Sequence, residues 1–131
     1  MIDFSQQQSV LVVGLGNQDI TADSLGPRAV GNIHMTRHVI REYGLKSCSH
    51  MKMHQISGIV PGVMAQTGME TLEIVQGVVA EIKPDVVIAI DALAARSTAR
   101  LNRTIQITDT GISPGSGVGN HREGLNEENL S

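Results

Sequence analysis

The chain contains four short apolar stretches that predict strands. Ser9–Leu15 (SVLVVGL) and Asp85–Asp91 (DVVIAID) are nearly continuous apolar runs bounded by polar or turn residues. Such runs are typical of strands buried on both faces of a parallel sheet. Met51–Ser57 and Thr104–Asp109 alternate with a period near two, which predicts a second and a fourth strand.

Two further stretches have helical periodicity. Pro27 suits a first helical position, and the pattern predicts a helix from there to about Tyr43, with Gly44 as its stop. Its apolar stripe is Ala29, Ile33, Ile40 and Tyr43. A second helix is predicted over Glu70–Ile82 and closed by Lys83-Pro84. Its apolar face is Leu72, Val75, Val79 and Ile82.

The remaining segments are predicted to be irregular. Gly58–Gly68 is predicted to be a loop, and Ala92–Arg100 a short helical turn of small residues. Residues 111–131 are glycine-rich and then polar, with few apolar residues to bury. The alternation of strands and helices in 131 residues predicts a single α/β domain over 1–131. Its sheet is expected to be largely parallel, with helices on both faces.

The composition of the chain limits the kinds of partner and the cellular setting that we expect. The net charge of −3 and pI of about 5.9 show no basic excess for a nucleic-acid surface. Cys48 is the single cysteine, so a disulfide framework is excluded and a reducing, cytoplasmic setting is expected. No apolar run approaches the ~18 residues that span a bilayer, and we expect no membrane partner.

Several small motifs admit a functional interpretation. Gly14-Leu15-Gly16 has Asp19 where a dinucleotide fingerprint needs a third glycine, so a tight strand-to-loop turn is favoured. His34 and His38 have the spacing of a helical metal pair, but a solvated helix face is favoured. Cys48 would need a base beside it to act as a nucleophile.

Two aspartates are the main chemical candidates. Asp23 follows the first strand, and Asp91 ends the third. Parallel strands bring their carboxyl ends to one edge, so these two acids are expected to meet there. Paired carboxylates can share a proton, leaving one group to activate water and the other to donate a proton. A helix cap is the competing interpretation of Asp23, and Asp109 is a weaker third candidate.

Four sequence blocks between Val13 and Asn120 resemble the germination protease family of spore-forming bacteria. The blocks are Val13–Pro27 with its Thr-x-Asp-x-Leu-Gly-Pro motif, Pro61–Met64 with Thr67-Gly68, Lys83–Ser97 with Ile-Asp-Ala-Leu-Ala-Ala-Arg, and Ile105–Asn120 with Pro-Gly-Ser-Gly-Val-Gly-Asn. The resemblance implies an endopeptidase that degrades small acid-soluble, DNA-coating spore proteins during germination. It implies no cofactor, a location in the forespore and spore core, synthesis as a zymogen, and a homotetramer.

The resemblance also assigns residues and a fold. The proposed catalytic aspartates fall on Asp23 and Asp91, and the fold resembles that of the hydrogenase-maturation peptidases, with three layers. Arg96 either orients a carboxylate or substrate or is a plain surface arginine. Gly115, Ser116 and Gly117 form either a flexible turn or a substrate-binding loop beside the site.

The chain departs from the family pattern in sequence and in length. Gln18 and Ala22 stand where the family has an aromatic residue and a proline. Family members are longer, and an apolar strand is expected beyond Ser131, so the chain is expected to be a fragment of a longer protein. Two other hypotheses stay open: a metal-dependent peptidase using Asp23, Asp91 and a histidine, and an inactive module that binds substrate or assembles.

Overall fold

A parallel sheet lies at the centre of the computed structural model, which describes residues 5–47, 53–93, 105–112 and 124–130. Within these ranges the strands are β1 (Ser9–Gly14), β2 (Gln55–Ile59) and β3 (Val86–Ile90), in the order β2-β1-β3. β1 pairs in parallel with both neighbours, with Val12 opposite Gly58 and Ile88. The central strand is therefore the first in the chain.

Helices connect and cover the strands. In chain order they are α1 (Leu25–Gly31), α2 (Arg37–Ser47), α3 (Met64–Thr67), α4 (Thr71–Ile82) and α5 (Glu127–Leu130). A single 3₁₀ turn over Thr21–Asp23 precedes α1. None of the helices in the described ranges is long and apolar enough to cross a membrane.

Successive residues of β1 belong to two separate cores, because side chains alternate across a strand. Leu11, Val13 and Leu15 are buried with Leu72 and Val75 of α4. On the other face, Val10 and Val12 are buried with Val30 of α1, and Ile33 and Met35 pack against them. The predicted α/β architecture with helices on both faces is confirmed.

The prediction that the third strand is buried on both faces is wrong. β3 is an edge strand of the described sheet, none of its residues is fully buried, and Ile88 is 41% exposed. The continuous apolar run is equally present in β1, which does occupy the centre. Apolar content alone therefore did not distinguish the central strand from the edge strand.

The helix predicted from Pro27 to Tyr43 is two helices, separated at Asn32–Thr36. The Thr36 N–H donates to the Ile56 carbonyl (3.0 Å) and its hydroxyl accepts from the Ile56 N–H (2.9 Å). Because the Thr36 N–H bonds to the edge of β2, it cannot also form the hydrogen bond that would continue α1 into α2. The break at Gly44 is confirmed by its φ of 75°, whereas Tyr43 is 67% exposed and not part of an apolar face.

The second strand lies later than predicted. It covers Gln55–Ile59 and not Met51–Ser57, so Gly58 and Ile59 belong to a strand, and α3 lies within the predicted loop. Residues 53 and 54 precede the strand, and the His54 ring accepts at Nδ1 from the Gln8 N–H (3.0 Å). The His54 side chain therefore bonds the segment that precedes β1, directly before β2 begins.

Two predictions near the end of the chain are wrong. Residues 105–109 form no strand, and Ile105 and Ile107 are 89% and 92% exposed. Leu125 is 3% exposed within the α4 core and forms an antiparallel bridge with Ile112, although this region was expected to bury little.

The second predicted helix, by contrast, is confirmed as α4. Lys83 ends it in the left-handed conformation.

Candidate active site

The carboxyl ends of β1 and β3 form the edge where a ligand is expected. The chain leaves β1 towards β2 on one side, and after β2 it returns to β3 on the other side. In open α/β sheets this reversal creates a crevice beyond the strand ends, where ligands bind. Pairing continues past β1, because the Leu15 N–H donates to the Ile90 carbonyl (2.8 Å). Both predicted aspartates lie directly beyond this point.

Asp23 is buried in the loop that follows β1. It ends the 3₁₀ turn and is 7% exposed. Its Oδ2 accepts a hydrogen bond from the Asn17 N–H (3.0 Å). Gly16 has a φ of 118°, and a Cβ there would lie 2.1 Å from the Asp23 carbonyl oxygen and 3.0 Å from Oδ1. A glycine at this position therefore lets the loop close over the carboxyl group.

The second oxygen of Asp23 is not held in the same way. Oδ1 lies close to Gly16 and accepts no hydrogen bond from the described residues. A carboxyl group with one oxygen bonded and the other available suits a group that accepts a proton from water.

Close backbone contacts hold the start of α1 against the ends of β1 and β3. A Cβ on Gly26 would lie 2.3 Å from the Leu15 carbonyl oxygen and 2.5 Å from that of Ile90. A Cβ on Gly14 would lie 2.4 Å from the Gly26 carbonyl oxygen. The tight turn expected at Gly14-Leu15-Gly16 is confirmed, and the neighbour that it approaches is α1.

Asp91 follows β3 at the same edge. It is half-buried, and its Oδ1 accepts from the Ala92 N–H (2.8 Å). Asp91 adjoins Ile90, whose carbonyl touches Gly26, and Gly26 lies three residues after Asp23. The structure thus brings Asp23 and Asp91 to one edge of the sheet, as expected. Their assignment as catalytic residues stays a prediction.

An open groove of about 590 Å³ lies beside the Asp23 loop. It is bordered by the loop itself, the outer side of α1 and the end of β2. Its lining includes Gln18, Asp19, Pro27, Arg28 and Val60. Arg28 is exposed and supplies a positive charge to this groove beside the negative charge of Asp19; the sequence patterns did not single out Arg28.

Of the remaining candidate residues, some lie outside the described ranges and others lie within them. Arg96, Gly115, Ser116, Gly117 and Cys48 lie outside the described residues. Asp109 is exposed and does not end a strand. His34 precedes α2 and His38 lies within it, so the two do not share a helix. Over the described ranges, no three His, Cys, Asp or Glu side chains are grouped as they would be around a metal ion.

Two polar residues of the site were missed. Asn17 and Gln66 contact each other across the sheet edge, at 3.4 Å between Gln66 Nε2 and Asn17 Oδ1. Asn17 belongs to the Val13–Pro27 block, whereas Gln66 lies between the two parts of the second block, Pro61–Met64 and Thr67-Gly68. No sequence pattern indicated that the two side chains lie in contact.

Comparison with known proteins decides the family. The family model for germination protease matches residues 1–131. The chain belongs to the germination protease family. It is 50% identical over 135 residues to the germination protease of Geobacillus sp. (strain WCH70), covering 98% of this chain and 34% of that protein. It is 47% identical over 130 residues to the germination protease of Clostridium perfringens (strain SM101 / Type A), covering 99% and 39%.

The chain spans only part of its curated relatives. The germination protease of Bacillus subtilis (strain 168) is 50% identical over 130 residues, which cover 98% of this chain and 34% of the relative. The resemblance inferred from the four sequence blocks is therefore confirmed at the level of the family. The matched third of these relatives includes the sheet edge with Asp23 and Asp91.

Proposed function

We propose that this chain carries the aspartate pair of an endopeptidase that degrades small acid-soluble spore proteins during germination. The observation that supports the proposal is the state of Asp23, which is buried, bonded at Oδ2 and without a hydrogen-bond partner at Oδ1 among the described residues, at the edge shared with Asp91. Family membership supports protein hydrolysis, and the curated relatives are named germination proteases. Residues 1–131 would form a single core domain of this enzyme.

Hydrolysis would proceed by acid–base catalysis. Asp23 accepts a proton from a water molecule at Oδ1, and that water attacks the peptide carbonyl carbon. Asp91 gives its proton to the carbonyl oxygen and takes one back from the resulting diol when the C–N bond breaks, while Asp23 passes the proton that it accepted from water to the leaving amine. The roles of the two carboxyl groups can be exchanged without changing the proton balance. The Asn17 N–H keeps the Asp23 carboxyl group oriented throughout.

The substrate, assembly and location form part of the same proposal. The substrate would be an extended segment of a spore protein lying across the edge, with part of it in the groove beside Arg28. The enzyme would act in the forespore and spore core as a homo-oligomer, without a cofactor. It would contact neither nucleic acid nor membrane directly.

Substitution of the two acids tests the proposal. The assay uses purified small acid-soluble spore protein with the 131-residue chain, and with Geobacillus germination protease into which these residues are grafted at the matching region. Asp23→Asn and Asp91→Asn should each lower kcat by about 10²-fold or more. Asp85→Asn is the matched control, since Asp85 is exposed at the opposite end of β3 and bonds the Ser9 N–H through Oδ2.

Three results would contradict the proposal. Full activity in either Asp→Asn variant would exclude the aspartate pair. Loss of wild-type activity on chelation, with metal found by elemental analysis, would favour the metal-dependent alternative. Oligomers that bind the spore protein without hydrolysing it, in both protein forms, would favour the assembly module.

A further inference from the structure

Asn17 connects the Asp23 carboxyl group to a second loop. Its N–H donates to Asp23 Oδ2 (3.0 Å), while its side-chain Oδ1 accepts from the Asp19 N–H (2.9 Å). An N–H can only donate, so the side-chain atom facing Asp19 must be the oxygen. The orientation of the Asn17 amide is thereby fixed by its partners. A side chain locked in this way fixes the position of its own backbone N–H.

Gln66 contacts the same oxygen from the loop that follows β2. Its Oε1 accepts from the Val63 N–H (3.1 Å), which fixes its amide orientation by the same rule. Its Nε2 then faces Asn17 Oδ1 as a donor, at 3.4 Å. Gly62 has a φ of 77°, and a Cβ there would lie 2.9 Å from Gln66 Oε1. The backbone at Gly62 therefore leaves room for the Gln66 side chain.

These bonds form one directed series across the sheet edge. It runs from the Val63 N–H to Gln66, from Gln66 to Asn17, and from the Asn17 N–H to Asp23. Each link has a defined donor and acceptor. The series joins the loop beyond β2 to a residue in the loop beyond β1 through hydrogen bonds.

We infer that Asn17 and Gln66 are positioning residues for Asp23, and that the loop over residues 60–68 acts on the site through them. This inference rests on the proposed function of Asp23. Neither side chain needs to touch the substrate. Their role is to hold one oxygen of Asp23 so that the other keeps its orientation towards water. Misplacement of a catalytic group by about 1 Å can cost up to ~10² in rate.

Gln66→Glu is the decisive variant because it keeps the hydrogen bond from the Val63 N–H and removes the one to Asn17. The new side chain retains an oxygen for the Val63 N–H, but it faces Asn17 Oδ1 with a second oxygen and not with a donor. Gln76→Glu is the matched control: Gln76 lies exposed on α4, and its Nε2 donates to the Asn129 carbonyl (2.8 Å). Both substitutions add one negative charge and remove one amide donor at an exposed site.

Two measurements are made on each variant. The first is the ¹H–¹⁵N chemical shift of the Asn17 and Asp23 amides, which needs no activity. We expect both to move in Gln66→Glu and to stay in place in Gln76→Glu. The second is steady-state hydrolysis with the grafted protease. We expect Gln66→Glu to lower kcat about three- to tenfold with KM within twofold, and Asn17→Ala to lower kcat about tenfold or more.

The outcomes separate this inference from the proposed function. If Gln66→Glu matches Gln76→Glu in both amide shifts and kcat, the series does not position Asp23 and the inference is overturned. A rise in KM at constant kcat would also overturn it, since this would indicate substrate binding. Full activity in Asp23→Asn would instead overturn the proposed function, and the amide shifts would still test the connection. If Asn17→Ala fails to fold, the comparison of Gln66→Glu with Gln76→Glu still tests the inference.

Discussion

Single glycines determine how closely the parts of the site approach. Gly16 permits the loop to fold over Asp23 because its φ of 118° and its contact with the Asp23 carbonyl exclude a Cβ. Gly26 has no unusual φ. A side chain is excluded at this position only by lack of space, because backbone atoms of Leu15 and Ile90 lie next to it. Sequence can reveal that a glycine is present, but not which neighbour requires it.

Gly26→Ala should destabilise the protein because the new methyl group would meet backbone oxygens of Leu15 and Ile90, which cannot rotate away. Overpacking of this kind costs about 1–3 kcal/mol. Gly77→Ala is the control: Gly77 lies inside α4 with nothing near its Cβ position, and alanine there should raise stability by about 0.5–1 kcal/mol. Urea unfolding of both variants measures the free energy of unfolding. Changes of the same sign in the two variants would contradict the steric argument.

Secondary structure elements differ in how well the sequence predicts them. The sequence predicts α4 because its apolar side chains repeat with a helical period. In the structure, a hydrogen bond from the Glu70 N–H to the Glu73 side chain marks its start, and the left-handed conformation of Lys83 marks its end. The helix after β1 was not resolved into two, because its break depends on Thr36 bonding to Ile56 on another element. Contacts that are distant in sequence leave no periodic signal.

The residues of the candidate site also differ in how well the sequence predicts them. The location of Asp23 and Asp91 at one edge of the sheet could be predicted because parallel strands share a carboxyl edge, and both acids follow apolar runs. Asn17 and Gln66 could not be predicted from periodicity, since their roles come from hydrogen bonds between two irregular loops. The segment over 105–109 was assigned to a strand on alternation alone. A strand also needs a partner edge, and the described residues give it none.

At the scale of elements, the groove between α1 and the Asp23 loop leads to a prediction about substrate binding. A change there should alter KM and leave kcat nearly constant. Arg28 lines this groove and is exposed, so its charge would attract a carboxylate of the substrate. Arg28→Glu should raise KM about two- to fivefold at nearly constant kcat, as expected for an exposed charge pair. Arg41→Glu, on the exposed side of α2, makes the same charge change away from the groove. Equal KM values in the two variants would exclude Arg28 from substrate binding.

At the scale of the whole molecule, apolar side chains remain exposed in specific places. Ile105 and Ile107 are about nine-tenths exposed, and Ile88 and Leu93 of the β3 region are 41% and 52% exposed. Contiguous exposed apolar surface commonly marks an interaction site. These residues belong to the sequence blocks shared with longer relatives, of which the chain spans 34% to 39%.

This exposure leads to a prediction about assembly. We expect the chain to form a homo-oligomer whose interface includes Ile105 and Ile107, because burying two isoleucine side chains stabilises an interface by about 1.5–3 kcal/mol each. Light scattering coupled to size exclusion should give a mass that is a multiple of 14.0 kDa and falls on dilution. The double variant Ile105→Ser, Ile107→Ser should shift this mass towards the monomer. Met69→Ser, at a residue 46% exposed after α3, should leave it unchanged. A monomeric mass for the wild-type chain at every concentration would refute the prediction, and so would a double variant that assembles as the wild-type chain does.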